Sequence, residues 1–432
     1  MLLLSLIPVI LANAPLQQPD PEPGGSRFGR AVLALDDLDG DGVREIAVGA
    51  PTASGGRGLV LVLSGKTQDV LATWKGPEAR SAFGHTLRSI PDVNGDGVGD
   101  VLIGFEFGAL TELRSGKDGE LVHAIDRGWE EVIPLGDYDG DGAGDLLLTT
   151  APLWEVRSGR TNALLNGRTL VQSHGRFDPI GDVNGDGLVD GIYFSKTASP
   201  MLSTRPNAQE LATAKPFDLT DRSTLRDLWP GTLTGVEGDR PTLLHAAPAG
   251  DLDGDGHRDF LITVANKKSN SIIALSFEKR SSPLTRIDRP ASRFGEGPPI
   301  GHALLGGIDL DGNRRDDLVF GNTSLLGFQA VAAPGATEKP TRQAKWPAFD
   351  GAHWCPDWSD DGPSSGVSLA AFDDADGDGT RDVLVGSSDW FSHGSVARSG
   401  ALRLLSGRTG KEIWTVTERR YGELGAAAVD RK

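Results

Sequence analysis

The chain is 432 residues long with 58 Gly and 26 Pro, a density of helix-breaking residues that argues against a mostly helical protein. Its net charge of −17, from 43 Lys and Arg against 60 Asp and Glu, argues against a nucleic-acid backbone or an anionic membrane as partner. A single cysteine, Cys355, excludes an internal disulfide and any cysteine-held zinc or iron–sulfur site.

In chain order, the first element is the apolar stretch Leu2 to Ala14, which ends in Ala12-Asn13-Ala14. It is short for a membrane span and reads as a signal peptide over residues 1–14, with a buried N-terminal strand as the alternative. Residues 15–26, rich in Pro, Gln and Gly, read as a flexible leader. No later segment is long and apolar enough to cross a bilayer, so the mature chain is expected to be secreted, extracellular or periplasmic, and a monomer.

Across residues 27–420 the pattern Asp-x-(Asp/Asn)-Gly-(Asp/Asn)-x-x-x-(Asp/Glu) recurs seven times, and such internal repetition marks a repeat architecture. Counting positions 1, 3, 5 and 9 as side-chain oxygen donors and position 7 as a backbone carbonyl, the first loop offers Asp37, Asp39, Asp41, Val43 and Glu45. The second offers Asp92, Asn94, Asp96, Val98 and Asp100, and the third Asp137, Asp139, Asp141, Ala143 and Asp145. The fourth offers Asp182, Asn184, Asp186, Leu188 and Asp190, and the fifth Asp251, Asp253, Asp255, His257 and Asp259. The sixth offers Asp309, Asp311, Asn313, Arg315 and Asp317, and the seventh Asp374, Asp376, Asp378, Thr380 and Asp382.

Each ninth position is followed by a short apolar run, as in Ile46-Ala47-Val48 or Val383-Leu384-Val385, which suits a strand buried on both faces. Small, weakly polar segments such as Gly29 to Leu35, Gly301 to Ile308 and Gly366 to Phe372 precede the loops and suit an innermost strand near an axis. Third strands such as Leu59 to Leu63 and Leu402 to Leu405 run into tight turns at Ser64-Gly65-Lys66, Ser115-Gly116-Lys117, Ser158-Gly159-Arg160 and Ser406-Gly407-Arg408. Fourth strands follow, as in Val70 to Trp74 and Glu412 to Thr417. Four strands per unit and seven units predict an all-β fold, a seven-bladed β-propeller with four-stranded blades. Tyr421-Gly422 begins what looks like a further first strand, so residues 421–432 are either a partial repeat that helps close the ring or a tail.

Several carboxylates within nine residues repel one another unless a cation sits among them, and hard oxygen donors around a Gly turn favour Ca²⁺. An EF-hand is excluded because position 12 is apolar or aromatic in every loop, from Val48 to Val385, where a bidentate Glu belongs. The competing interpretation is a set of Asx turns that bind nothing. The sixth loop is expected to be the weakest site, with Asn313 in place of an Asp and Arg314 in place of the Gly at position 6.

Phe28-Gly29, the loop Asp37 to Glu45 and Gly49-Ala50-Pro51, echoed by Phe83-Gly84, Asp92 to Asp100 and Ile103-Gly104, resemble the FG-GAP repeats of integrin α-chain N-terminal propellers and of many secreted bacterial proteins. That resemblance implies a seven-bladed propeller with Ca²⁺ in the loops between first and second strands, serving adhesion or ligand binding. It does not imply an integrin partner.

Strand alternation puts the acidic loops and the Ser-Gly turns on one face, and ligands of propellers usually meet the other. There the longest connections carry Trp354, Asp357 and Trp358 in one blade and Asp389, Trp390, Phe391 and His393 in the next. Aromatic plates beside carboxylates suit a sugar ring or a protein hot spot, so a glycan or protein is the expected partner; the alternative is that the Trp residues only pack an insertion. No nucleophile elbow or clustered histidines appear, and no catalytic residues are assigned. A polysaccharide lyase or glycosidase on the same scaffold is the alternative function.

Overall fold

The computed structural model describes most of residues 25–421, with the longest interruptions over 204–222, 225–241, 291–302 and 332–366; residues 1–24 and 422–432 lie outside it. The described chain is an all-β propeller with four-stranded blades. Seven antiparallel sheets form among the described residues, six of four strands and one of three. In each, the strands lie side by side in chain order.

Sheet 1 comprises Val32–Ala34, Ile46–Ala50, Leu59–Leu63 and Val70–Lys75, and sheet 2 comprises Thr86–Ile90, Asp100–Gly104, Thr111–Arg114 and Leu121–Ile125. Sheet 3 follows with Glu131–Gly136, Asp145–Thr150, Leu153–Arg157 and Leu164–Thr169. Sheet 4 holds Gly175–Gly181, Asp190–Ser195, Met201–Ser203 and Ser223–Thr224, and sheet 5 holds Thr242–Gly250, Asp259–Ala265, Ser269–Ser276 and Thr285–Pro290. Sheet 6 has Ala303–Ile308, Asp317–Gly321 and Gln329–Val331; sheet 7 has Val367–Ala371, Val383–Phe391, Arg398–Leu405 and Glu412–Thr417.

Second strands are buried on both faces, which is why they read as unbroken apolar runs: Ile46 to Ala50 and Asp100 to Gly104 are buried at every residue. Outer strands alternate less strictly and leave Leu121 and Leu164 exposed. Because each sheet buries both faces against neighbours, the core is divided among the junctions. Apolar clusters join sheets 1 and 2, 2 and 3, 3 and 4, 4 and 5, 5 and 6, and 6 and 7. A further cluster joins sheet 7 back to sheet 1 through Phe28, Leu384, Leu402 and Phe372.

The Phe-Gly landmark is a wedge between neighbours. Phe83, fully buried, packs on Val60 and Val62 of sheet 1 and Val101 and Ile103 of sheet 2. Gly84 has φ 84°, and a Cβ there would meet the Leu59 carbonyl oxygen at 2.8 Å, so no other residue fits. In sheet 3 the same station is held by Trp129, without the glycine, beneath the Arg157 guanidinium at 5.7 Å; Arg114 stands over Phe83 at 5.2 Å in sheet 2.

Three expectations change in detail. Gly25 and Ser26, expected in a flexible leader, are bonded into the fold: Thr52 Oγ1 donates to the Gly25 carbonyl at 2.8 Å and the Ser26 N–H donates to Glu418 Oε1 at 3.1 Å. Tyr421 ends a short 3₁₀ turn, Glu418–Tyr421, and not a first strand. Its ring lies 5.5 Å from that of Phe28, and its hydroxyl donates to the Gln68 carbonyl at 3.1 Å, so this segment bridges sheets 7 and 1. Asp389, Trp390 and Phe391, expected in a connection, lie within the second strand of sheet 7, where Trp390 pairs with Ser399 and Phe391 with Arg398. Aromatic residues favour strands, and here they prolong the hairpin.

Candidate metal centres

The acidic loops connect first and second strands, and their backbone is shaped by their own carboxylates. In the third loop, Asp137 Oδ1 accepts the Gly140 and Asp141 N–H groups at 2.7 and 3.0 Å, and Asp137 Oδ2 accepts that of Gly142 at 2.9 Å. Asp139 Oδ1 accepts the Asp141 N–H at 3.1 Å, and Asp141 Oδ1 accepts that of Ala143 at 2.8 Å. The same set recurs at Asp92, Asp182, Asp251 and Asp374. Glycine at positions 4 and 6 is required because both take φ near 80°, as Gly140 and Gly142 do. In the sixth loop Arg314 takes this conformation at φ 65°, which costs roughly 1 kcal/mol at a non-glycine residue. Asp311 and Asn313 of that loop lie outside the described residues.

All seven ninth-position carboxylates are buried: Glu45, Asp100, Asp145, Asp190, Asp259, Asp317 and Asp382 are each at most 2% exposed. One oxygen of each caps the loop from within, as Asp100 Oδ2 does for the Val93 N–H at 2.8 Å and Asp382 Oδ2 for that of Ala375 at 2.8 Å. In sheets 2, 3 and 7 the other oxygen accepts an N–H from the Ser-Gly turn, at Gly116, Gly159 and Gly407. In sheets 1 and 5 it has no such donor: Glu45 Oε1 and Asp259 Oδ1 are buried without a hydrogen-bond partner. An orphaned buried carboxylate oxygen is costly unless a cation occupies the space in front of it.

The carboxylates converge as a cation needs. Oxygens of Asp37, Asp39 and Asp41 lie within 4.8 Å of one another, as do those of Asp137, Asp139 and Asp145, of Asp251, Asp253 and Asp255, and of Asp374, Asp376 and Asp382. Burial pushes the Asp259 carboxyl up to about 7, with Asp253, Asp255 and Asp251 adding to it against the Leu252 hydrogen bond. Burial likewise raises Glu45, Asp145 and Asp382 to about 6. The donor set fits a hard divalent cation.

These shifts give a prediction for the metal-free chain. A carboxyl whose folded value is raised stabilises the fold fully below its unfolded value near 4, and that contribution is lost as the pH rises through the folded value. With folded values of about 6 to 7, the melting temperature in chelator is expected to fall between about pH 5 and about pH 8. A rise over that interval would contradict the assignment.

Two features of this face are not legible in the repeat pattern. Ser115 Oγ and Ser406 Oγ reach the position-5 carboxylates of Asp96 and Asp378 at 2.9 and 3.2 Å. Aspartates flanking the loops also latch adjacent sheets: Asp36 accepts the Gly99 N–H at 2.8 Å, Asp373 that of Arg44 at 3.3 Å, and Asp316 that of Asp251 at 2.7 Å. Of the aromatic surface expected on the opposite face, Trp354, Asp357, Trp358 and His393 lie outside the described residues.

Residues 28–63 match the family model described as the FG-GAP repeat. Human integrin alpha-IIb is 39% identical over 214 residues, 45% of this chain and 20% of its own length. Human integrin alpha-10 is 36% identical over 100 residues, 22% of this chain and 8% of its own length. The chain thus spans a fifth or less of these two relatives. Among solved structures, the computationally designed Ika8 protein aligns over 92% of this chain and 89% of its own at 12% identity with a TM-score of 0.43. The Vibrio cholerae biofilm matrix protein Bap1 aligns over 92% and 81% at 14% identity with a TM-score of 0.39. The matched repeat carries the Phe28-Gly29 wedge, the first acidic loop and the buried strands that follow it, and over these parts the chain is similar to FG-GAP repeats and to integrin α chains.

Proposed function

We propose that the chain is a closed seven-bladed propeller whose acidic loops bind Ca²⁺, acting outside the cell as a binding or adhesion module for a protein or glycan. The observation that carries the metal reading is the orphaned, fully buried oxygen of Glu45 and of Asp259 beside converging carboxylates. Contacts between the first strands of sheets 1 and 7 support closure. The extracellular reading rests on the kinship with integrins and on chemistry, since loops of this kind in extracellular modules fill at ~10⁻⁴ to 10⁻³ M Ca²⁺. Among the described residues no helix is long and apolar enough to cross a membrane.

A hierarchy among sites follows from ligand charge. Asp141→Ala removes a carboxylate from a loop with four acids at its donor positions, whereas Asn313→Ala alters a loop that already lacks one and holds Arg314 in a left-handed turn. Calorimetric titration is expected to show the larger loss of calcium binding for Asp141→Ala. An equal or larger loss for Asn313→Ala would refute the ranking.

We infer that the partner binds the face opposite the loops, toward which the second strand of sheet 7 runs on to Phe391. Cell-surface and glycan-array screening of the mature protein identifies the ligand. Replacing Trp354 and Trp390 by Ala is expected to abolish that binding while the melting temperature stays within a few degrees. If the same changes lower the melting temperature and spare binding, the surface is packing only.

A further inference from the structure

The Ser-Gly turns bring a basic side chain to the metal loop of their own sheet, and they do so repeatedly. Lys66 Nζ lies 3.2 Å from the Asp41 carbonyl oxygen and 4.0 Å from its carboxylate. Arg160 Nε donates to Asp141 Oδ2 at 3.1 Å, with a second nitrogen 3.4 Å from the Asp141 carbonyl. Arg408 donates to the Asp378 carbonyl at 2.8 Å. All three cations therefore meet the same loop residue, position 5, from the same direction.

The turn glycine enforces this station. A Cβ at Gly65, Gly159 or Gly407 would come within 2.1, 1.9 and 1.9 Å of the position-8 carbonyl oxygens of Arg44, Gly144 and Arg381. The turn is thus pressed onto the loop, and the residue after the glycine emerges over its rim. In sheet 2 the residue at the same step is Lys117. Sheet 5 reads Ser276-Phe277-Glu278 at this step, an acid where the others carry a cation.

Resting on the calcium reading above, we propose that Lys66, Arg160 and Arg408 are tethered counter-ions of the metal loops, positioning residues that weaken divalent-cation binding there and keep the loops folded when the cation leaves. Each carries one positive charge against position 5, so it offsets part of the loop's negative field. The loops of sheets 1, 3 and 7 accordingly bind a divalent cation less tightly than they would without these side chains.

The test is the full mature chain carrying Lys66→Gln, Arg160→Gln and Arg408→Gln together. Lys66 and Arg160 are half-exposed at the surface, so the variant retains the core of the parent. Calorimetric titration with CaCl₂ at low ionic strength is expected to show binding about two- to five-fold tighter per affected site, the scale of an exposed ion pair. In EDTA the variant is expected to melt below the parent, and in saturating calcium the gap closes. Raising the ionic strength shrinks both differences, and Lys66→Arg, Arg160→Lys and Arg408→Lys restore the parental values. A parent that binds calcium and a variant that titrates identically, with the same melting temperature in EDTA, overturn the proposal alone. A parent that takes up no calcium overturns the calcium reading, and the proposal with it.

Discussion

Transfer of the protein from millimolar Ca²⁺ into excess EDTA is expected to lower its melting temperature by about 10 °C or more. The size follows from linkage: a cation that binds only the folded loop, at ten times its Kd, contributes about 1.4 kcal/mol per site, and the contributions of separate loops add. The loops have reason to need it. Each closes over a buried ninth-position carboxylate, and in sheets 1 and 5 one oxygen of that group has no partner. Removing the cation leaves those charges desolvated beside two or three like charges. An identical melting temperature in calcium and in EDTA would show that the loops are self-sufficient turns.

The second large effect concerns ring closure. Phe28→Ala is expected to destabilise the protein by about 3–5 kcal/mol, measured by urea unfolding in saturating calcium. Phe28 is fully buried among Val32, Ile46 and Val48 of sheet 1 and Leu384, Leu402 and Val416 of sheet 7. Gly29 next to it has φ 84°, and a Cβ there would meet the Ala401 carbonyl oxygen at 2.5 Å and the Ser387 nitrogen at 2.9 Å. Ser368 Oγ donates to the Gly29 carbonyl at 3.1 Å across 339 residues of chain. The single cysteine allows no internal disulfide here, so packing together with hydrogen bonds such as this one keeps the first sheet against the last. Gly29→Val should be at least as damaging, because the clash is with backbone. A loss below about 1 kcal/mol for Phe28→Ala would mean that the junction contributes little.

Much of this was legible in the sequence because the repeat couples local and long-range requirements. The third strand Leu59–Leu63 and the outer strand Glu412–Thr417 appear where the apolar runs place them. The acidic loops are legible because Asp and Gly at fixed offsets answer to hydrogen bonds within the loop itself, such as Asp137 to Gly140 and Gly142. The left-handed turn at Arg314 is legible for the same reason.

What the sequence does not show depends on neighbours distant along the chain. Trp129 takes the place of Phe-Gly in sheet 3, and its role emerges only when Arg157 lies over its ring. The latch from Asp36 to the Gly99 N–H joins two sheets and leaves no local signature, since an aspartate before a loop reads as one more acid. Lys66 and Arg160 read as ordinary turn residues until the turn glycine is seen against the position-8 carbonyl. Aromatic residues between turn signals are ambiguous in register, which is why Trp390 and Phe391 read as a connection and fold as strand.

The central claim is that the repeated acidic loops are cation sites of one kind, and counting bound calcium tests it most directly. Equilibrium dialysis of the chain against millimolar CaCl₂, with metal measured per chain by mass spectrometry, should approach one ion for each of the seven loops, the sixth filling last. Uptake of no calcium, or of a single ion per chain, would contradict it.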